Sequence, residues 1–309
     1  MKLTSPLAGG RTIASACFLL AMLFAGASAA RAQALPSGRA SRGMKLYETF
    51  AGSSSSSGSV FNITNTLGYD FTGHIGVDVS LPIYFVRPPA NNGFAGSAAG
   101  IGNPSIDARL ALELPLVDYS PTATVSFPTG SITKGYNTGS VTYDLDNRFE
   151  HDFSRLTPFF DVDVGNSLNN GSSATRRQIQ RPYMTLGKVA NFMAGFDVHL
   201  THRWTVSADA YEVVPWGSQT VFSRIVLPGT VGKGGQHNRS FEIFQQQDGG
   251  AELVSDDGAD ASVAFSPTHS IDLTLAFDRS FHYALNTISF SVGFNISQIL
   301  SRRRDQGAR

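Results

Sequence analysis

The chain has 309 residues, with 24 Lys+Arg against 24 Asp+Glu, one cysteine and 16% charged residues. That even balance gives no support to a nucleic-acid partner, and a lone Cys17 cannot build a disulfide framework within the chain. A charged fraction well below the ~25% of an average soluble domain, with 31 glycines and 11% aromatics, suits a wall that alternates between lipid and water.

Residues 1–32 read as a secretory signal. Lys2 and Arg11 flank an apolar run from Ile13 to Ala27, and Ala30-Arg31-Ala32 fits the small-x-small cleavage pattern, with Ala27-Ser28-Ala29 a second, weaker fit. The run is too short to span a bilayer as a helix, and no later segment is long and apolar enough. Cleavage after Ala32 discards Cys17, and with it thiolate catalysis and cysteine metal sites. It leaves 277 residues carrying 21 bases against 24 acids, a net charge of −3. The small, basic stretch 33–43 reads as a periplasmic leader.

From residue 44 the chain alternates apolar and polar residues with period 2, the signature of strands with one greasy and one wet face. The alternation predicts strands over Met44–Gly52 (the weakest), Val60–Phe71, His74–Val86, Pro104–Leu114, Pro121–Pro128 and Gly139–Phe149. Further strands are predicted over Pro158–Leu168, Thr185–Leu200, Trp204–Val214, Ala259–Ser266, Ile271–Asp278 and Asn286–Ser297. The last is the clearest: Ile288, Phe290, Val292, Phe294 and Ile296 share one face. Between these strands, short connections such as 70–73 and 201–203 alternate with longer ones such as 87–102 and 215–259. Short periplasmic turns and longer outer loops are the expected asymmetry of outer-membrane barrels. The predicted architecture is therefore an all-β, antiparallel up-and-down transmembrane barrel of about twelve strands over 44–297, followed by a basic periplasmic tail, 298–309. A soluble, secreted sandwich also alternates and is the competing architecture. The longest loop, 215–259, has two open readings: folded into the lumen, or lying outside it.

If the apolar phase faces lipid, the opposite phase faces water. It carries Asp78, Asp107, Arg109, Glu113, Asp144, Asp146, Arg148, Asp161, Asp163, Asp197, Asp209, Asp272 and Asp278 as lumen-lining candidates. Each is equally a solvated or paired wall residue. Acids outnumber bases, which points to a weak preference for cations. Tyr69, Phe71, Phe85, Tyr143, Phe160, Trp204 and Trp216 fall at strand ends, where interfacial aromatic girdles sit.

No catalytic constellation stands out. His282, near Asp278 and Ser280, is the best local trio, but a triad is defined in space rather than by proximity in sequence. There is no HExxH or other metal spacing and no phosphate-binding glycine loop, so no metal or cofactor is expected.

Three stretches carry a family resemblance. Gly100-Ile101-Gly102-Asn103 opens a strand that continues through Ile106-Asp107-Ala108-Arg109-Leu110. Val125-Ser126-Phe127-Pro128-Thr129-Gly130-Ser131 ends another, and Ser291-Val292-Gly293-Phe294-Asn295 lies in the closing one. Together they resemble the outer-membrane β-barrel transporter family named for a putative MetA-pathway of phenol degradation. The chain departs from its pattern at Asn103 and Ser131, where an Asp is usual, and in ending with a basic tail rather than on a strand aromatic. The resemblance implies an outer-membrane channel for small molecules, aromatic or hydrophobic compounds among them. It also implies lipid, the barrel-assembly machinery and solutes as partners, and it supplies no site residues. Two other readings stay open: an outer-membrane hydrolase, and a non-transporting barrel that presents surface loops.

Overall fold

In the computed structural model, described for residues 42–55, 58–87, 98–168, 181–226, 244–268 and 270–297, the alternating segments close on one another. The predicted signal 1–32, the predicted tail 298–309 and nearly all of the predicted leader 33–43 lie outside the described residues. The strands are β1 (Gly43–Ser55), β2 (Gly58–Asp70), β3 (Ile75–Arg87), β4 (Ala98–Ile101), β5 (Ser105–Leu110), β6 (Leu112–Glu113), β7 (Asp118–Ser126), β8 (Thr142–Glu150) and β9 (Leu156–Gly165). They continue with β10 (Tyr183–Leu186), β11 (Val189–His199), β12 (Trp204–Pro215), β13 (Gln219–Ser223), β14 (Gln246–Gly249), β15 (Asp256–Thr268), β16 (Ile271–Ser280) and β17 (Leu285–Asn295).

Each wall strand pairs antiparallel with its neighbours, and β1 pairs both with β2 and with the last strand, β17, so the sheet has no free edge. β4, β5 and β6 are one wall strand, interrupted at Gly102-Asn103-Pro104 and at Ala111. Pro104 cannot donate to the ladder, but the Gly102 N–H still reaches Pro82 O at 2.9 Å and Pro104 O accepts from the Phe127 N–H at 2.9 Å. Counted this way, the wall is a closed barrel of twelve strands. Closure satisfies every strand edge from within, as a hydrocarbon environment requires.

The two faces separate as the alternation predicts. Outward residues are apolar and exposed, among them Ile288 at 59%, Leu275 at 55% and Phe277 at 46%. The seven predicted girdle aromatics, from Tyr69 to Trp216, are all exposed as well. Inward residues are small or polar and buried, such as Asn62, Thr64 and Thr66 on β2, where the Thr66 and Ser80 hydroxyls meet at 2.8 Å. An apolar exterior around a polar interior inverts a soluble protein and fits an outer-membrane barrel.

This orientation sets a depth-dependent expectation. Leu275 pairs with Val263 and Phe290 in mid-strand, so Leu275→Arg should cost about 2–4 kcal/mol of barrel stability, whereas Asn286→Arg at the outer rim should cost about 1 or less. Urea unfolding in phospholipid vesicles reads both; equal, near-zero costs would mean the face meets water.

Two features depart from the sequence reading. The predicted strand Thr185–Leu200 is two strands, because the chain kinks at Gly187. Gly187 holds φ +152°, and a Cβ there would run into the Gln219 side chain and the Ser218 carbonyl. The long loop 215–259 also contains the strands β13 and β14.

Candidate functional site

The interior of the barrel is the candidate site, and it has two distinct levels. At the end of the short turns, Asp70 from the foot of β2 forms an ion pair with Lys45 Nζ at 2.6 Å and accepts from Arg109 Nη2 at 2.9 Å, while Arg109 Nε contacts Asp78 at 2.5 Å. Four strands thus tie their inward charges into one buried network. Farther round the wall, Arg148 contacts Glu150 at 2.8 Å, Asp197 at 3.2 Å and Asp161 at 3.4 Å, and its guanidinium lies 4.0 Å over the Phe159 ring. A buried guanidinium is well suited to holding several carboxylates at once through its planar fork of donors.

The structure places the sequence-predicted residues as follows. Asp78, Asp107, Asp144, Asp146, Asp197, Asp209 and Asp278 are buried inside the wall, and Arg109, Arg148, Asp161, Asp163 and Asp272 are part-buried there. Glu113 is apart from them, exposed at the end of β6 beside a short turn. Asp209, Asp260 and Asp278 stand directly opposite one another on β12, β15 and β16, and Asp146 faces Asp163. Among the described residues no group of three or more His, Cys, Asp or Glu side chains is placed to hold a metal ion.

The outer level is built largely from the long loop 215–259. Beyond Gly187 and Gly217 the β11–β12 hairpin continues as β10 and β13, and β14 adds to β13 to make a separate three-stranded sheet. Its residues are mostly buried: Tyr183, Met184 and Thr185 on β10, and Val221, Phe222 and Ser223 on β13. One side packs with Tyr211, Val213, Leu253, Val254, Tyr283 and Leu285. The other end reaches Val60, Tyr84 and Val86 on β2 and β3, through Ile225. Five strands separate β3 from β12 on either way round the barrel, so the sheet crosses the mouth from one wall to the opposite one. We refer to it as the bridge.

Arg224, just past β13, anchors the far end. Its guanidinium lies 4.0 Å over the Tyr84 ring. Its Nε donates to Gly135 O at 3.1 Å and its Nη1 to Arg181 O at 2.5 Å. Tyr84 in turn stacks on Tyr136 at 5.6 Å. Gly135 sits at φ +64°, and a Cβ there would strike the backbone of Ser223 and Arg224. Arg181 carries the connection back, with Nη2 on Asp256 Oδ2 at 3.2 Å, and Asp256 Oδ1 accepts from the Ser280 hydroxyl at 2.6 Å. A continuous polar chain therefore runs from β3 through Arg224, Arg181 and Asp256 to β16. Burial works against the charge on Arg181, but Tyr183 and Asp256 beside it outweigh that and raise its pKa; burial lowers that of Arg224. Burial pushes the Tyr283 hydroxyl up to about 12, so it is a neutral donor, here to Leu253 O at 2.9 Å.

The His282 trio is not brought together. Ser280 turns inward, donating to Asp256 and accepting the Tyr283 N–H at 3.1 Å, while His282 stays exposed, edge-on to Tyr283. The bridge arginines and the inward tyrosines were missed in sequence because they sit in loops or occupy polar-phase positions where an aromatic breaks the pattern. An aromatic on the polar phase, as at Tyr47, Tyr84, Phe159 and Tyr211, was the available signal.

No protein-family model matches the chain, and no curated protein sequence matches it. Among solved structures, the chain is similar to the COG4313 outer membrane channel from Pseudomonas putida F1, at 10% identity and a TM-score of 0.53, over 87% of this chain and 99% of that one. It is also similar to the KdgM porin, at 7% identity and a TM-score of 0.46, over 81% and 98%. At 10% identity the likeness to the COG4313 channel is one of fold alone: a closed β-barrel of the outer-membrane type.

Proposed function

We propose that the chain is an outer-membrane channel for the passive passage of small solutes, narrowed at its outer mouth by the bridge. The observation that supports this best is the division of the barrel into an apolar exterior and a polar interior lined by charge. A wall built to carry water-facing groups through a membrane suits diffusion of polar or small amphipathic molecules filtered by size and sign. Acids outnumber Lys45, Arg109 and Arg148 on the inner wall, which favours cations. Small aromatic or weakly polar compounds are the solute class we favour, because Tyr84, Tyr136, Tyr183, Tyr211 and Tyr283 surround the bridge and because of the motif resemblance to the phenol-pathway transporters.

Planar-bilayer recording tests the reading. Purified barrel should give small, stepwise conductance with a reversal potential displaced towards the cation, and Asp209→Asn with Asp260→Asn should reduce that displacement. Silent membranes containing folded barrel would instead indicate a plugged barrel that presents its outer loops.

A further inference from the structure

The outward face of the barrel carries a carboxylate at mid-depth in one place; the outward Asn147 on β8 is uncharged and is held by the Tyr119 hydroxyl and the Val162 carbonyl. Glu48 on β1 points outward, and so does Asn65, its partner across the β1–β2 ladder. With its amide nitrogen turned towards the carboxylate, Asn65 donates to both Glu48 oxygens, at 3.1 and 2.8 Å. Both side chains are half-buried.

Their depth can be read from the register. Asn65 lies midway on β2 between the outward Phe61 and Tyr69. Apolar pairs flank the polar one along the seam, Leu46 with Leu67 below and Phe50 with Ile63 above. Sideways, Glu48 meets Val292 and Asn65 meets Leu81. The outer limit of the greasy band is marked elsewhere by Ser54 opposite Asn286, Asn286 opposite Arg279, and Glu212 opposite Asp257. Glu48 lies well below that line. Among the described residues the other outward ionisable groups stand near the two rims.

A carboxylate accepts at about four sites, and one amide cannot fill them. Hydrocarbon offers no donor, and intramembrane ionisable groups are costly and characteristically paired. A lipid headgroup stays at the rim. What fits is a protein surface presenting donors and acceptors at the same depth, ringed by apolar contact. This chain carries such a surface itself: the Glu48–Asn65 pair holds both acceptor and donor, so it is complementary to its own copy, as an isologous two-fold contact demands. The flanking Leu46, Leu67, Phe50 and Ile63 would exclude lipid around that polar centre.

We propose that the β1–β2 seam is a homodimer contact within the membrane, in which the Glu48–Asn65 pair meets the same pair of a second copy across a two-fold axis. Single cysteines in a Cys17→Ser background test this on the full barrel in outer membranes. Leu46→Cys and Leu67→Cys should cross-link on mild oxidation into a species of twice the monomer mass. Phe196→Cys, on the opposite wall, should remain monomeric. Adding Glu48→Leu with Asn65→Leu should lower the dimer yield about tenfold, equivalent to about 1.4 kcal/mol, while the folded barrel keeps its heat-dependent gel mobility. The proposal is overturned if the seam cysteines cross-link no better than Phe196→Cys, if they cross-link only to a different protein, or if the leucine pair leaves the yield unchanged. The cysteine comparison stands on its own should the leucine pair impair folding.

Discussion

Arg224→Ala should raise single-channel conductance at least several-fold, with openings that fluctuate where the native barrel is quiet. Arg224 is the far-wall anchor of the bridge: one ring contact with Tyr84 and two hydrogen bonds to the carbonyls of Gly135 and Arg181. A desolvated cation–π contact contributes about 2 kcal/mol and a hydrogen bond from a charged donor about 1.5–3. If these favour the closed over the open mouth by even about 3 kcal/mol, losing them moves the closed-to-open ratio by roughly a hundredfold. The near-wall packing around Val213, Val221 and Leu253 stays, so the barrel should remain folded. Gly135→Val should act in the same direction, since its side chain would occupy the space of the Ser223 carbonyl. Arg203→Ala, at an exposed periplasmic turn, should leave conductance alone. Bilayer recording of the variants side by side checks this, and an unchanged Arg224→Ala conductance would mean that the bridge does not limit flow.

Arg109→Leu should destabilise the barrel by about 3–5 kcal/mol, the usual cost of stranding a buried charge by removing its partner. The guanidinium forms ion pairs with both Asp70 and Asp78, and both carboxylates are almost fully buried. Lys45 would still hold Asp70, but Asp78 would lose both its ion pair and its hydrogen bond to the guanidinium. Replacing all three by apolar residues of similar size should recover most of the loss, because the cost lies in the uncompensated charge and not in the absent pair. Urea unfolding in vesicles, followed by gel mobility, reads both; a loss under about 1 kcal/mol would place the network in contact with bulk water.

The barrel was legible because period-2 alternation is a local property, written in each strand regardless of its neighbours. Ile271–Ser280 and Leu285–Asn295 differ from their predicted limits only at the ends. β1 was weak in sequence for a reason that the structure explains: Glu48 interrupts the outward series Met44, Leu46, Phe50. The inward acids could be named from phase alone, but not their partners, since Arg148 reaches Asp197 across an intervening strand. The bridge was not legible at all beyond the length of its loop. β10, β13 and β14 have four or five residues each, too few for a period to register, and their packing depends on a wall strand more than a hundred residues away. Arg224 and Tyr84 are neighbours only because the barrel is closed.

A barrel with this exterior needs hydrocarbon against the outward side of its strands. The direct measurement is to dilute purified mature chain out of detergent, once into plain buffer and once onto phospholipid vesicles, and to follow its fold and particle size. Folded barrel retained only with the vesicles, and aggregation without them, is the outcome expected. A folded, monodisperse monomer in buffer alone would contradict it.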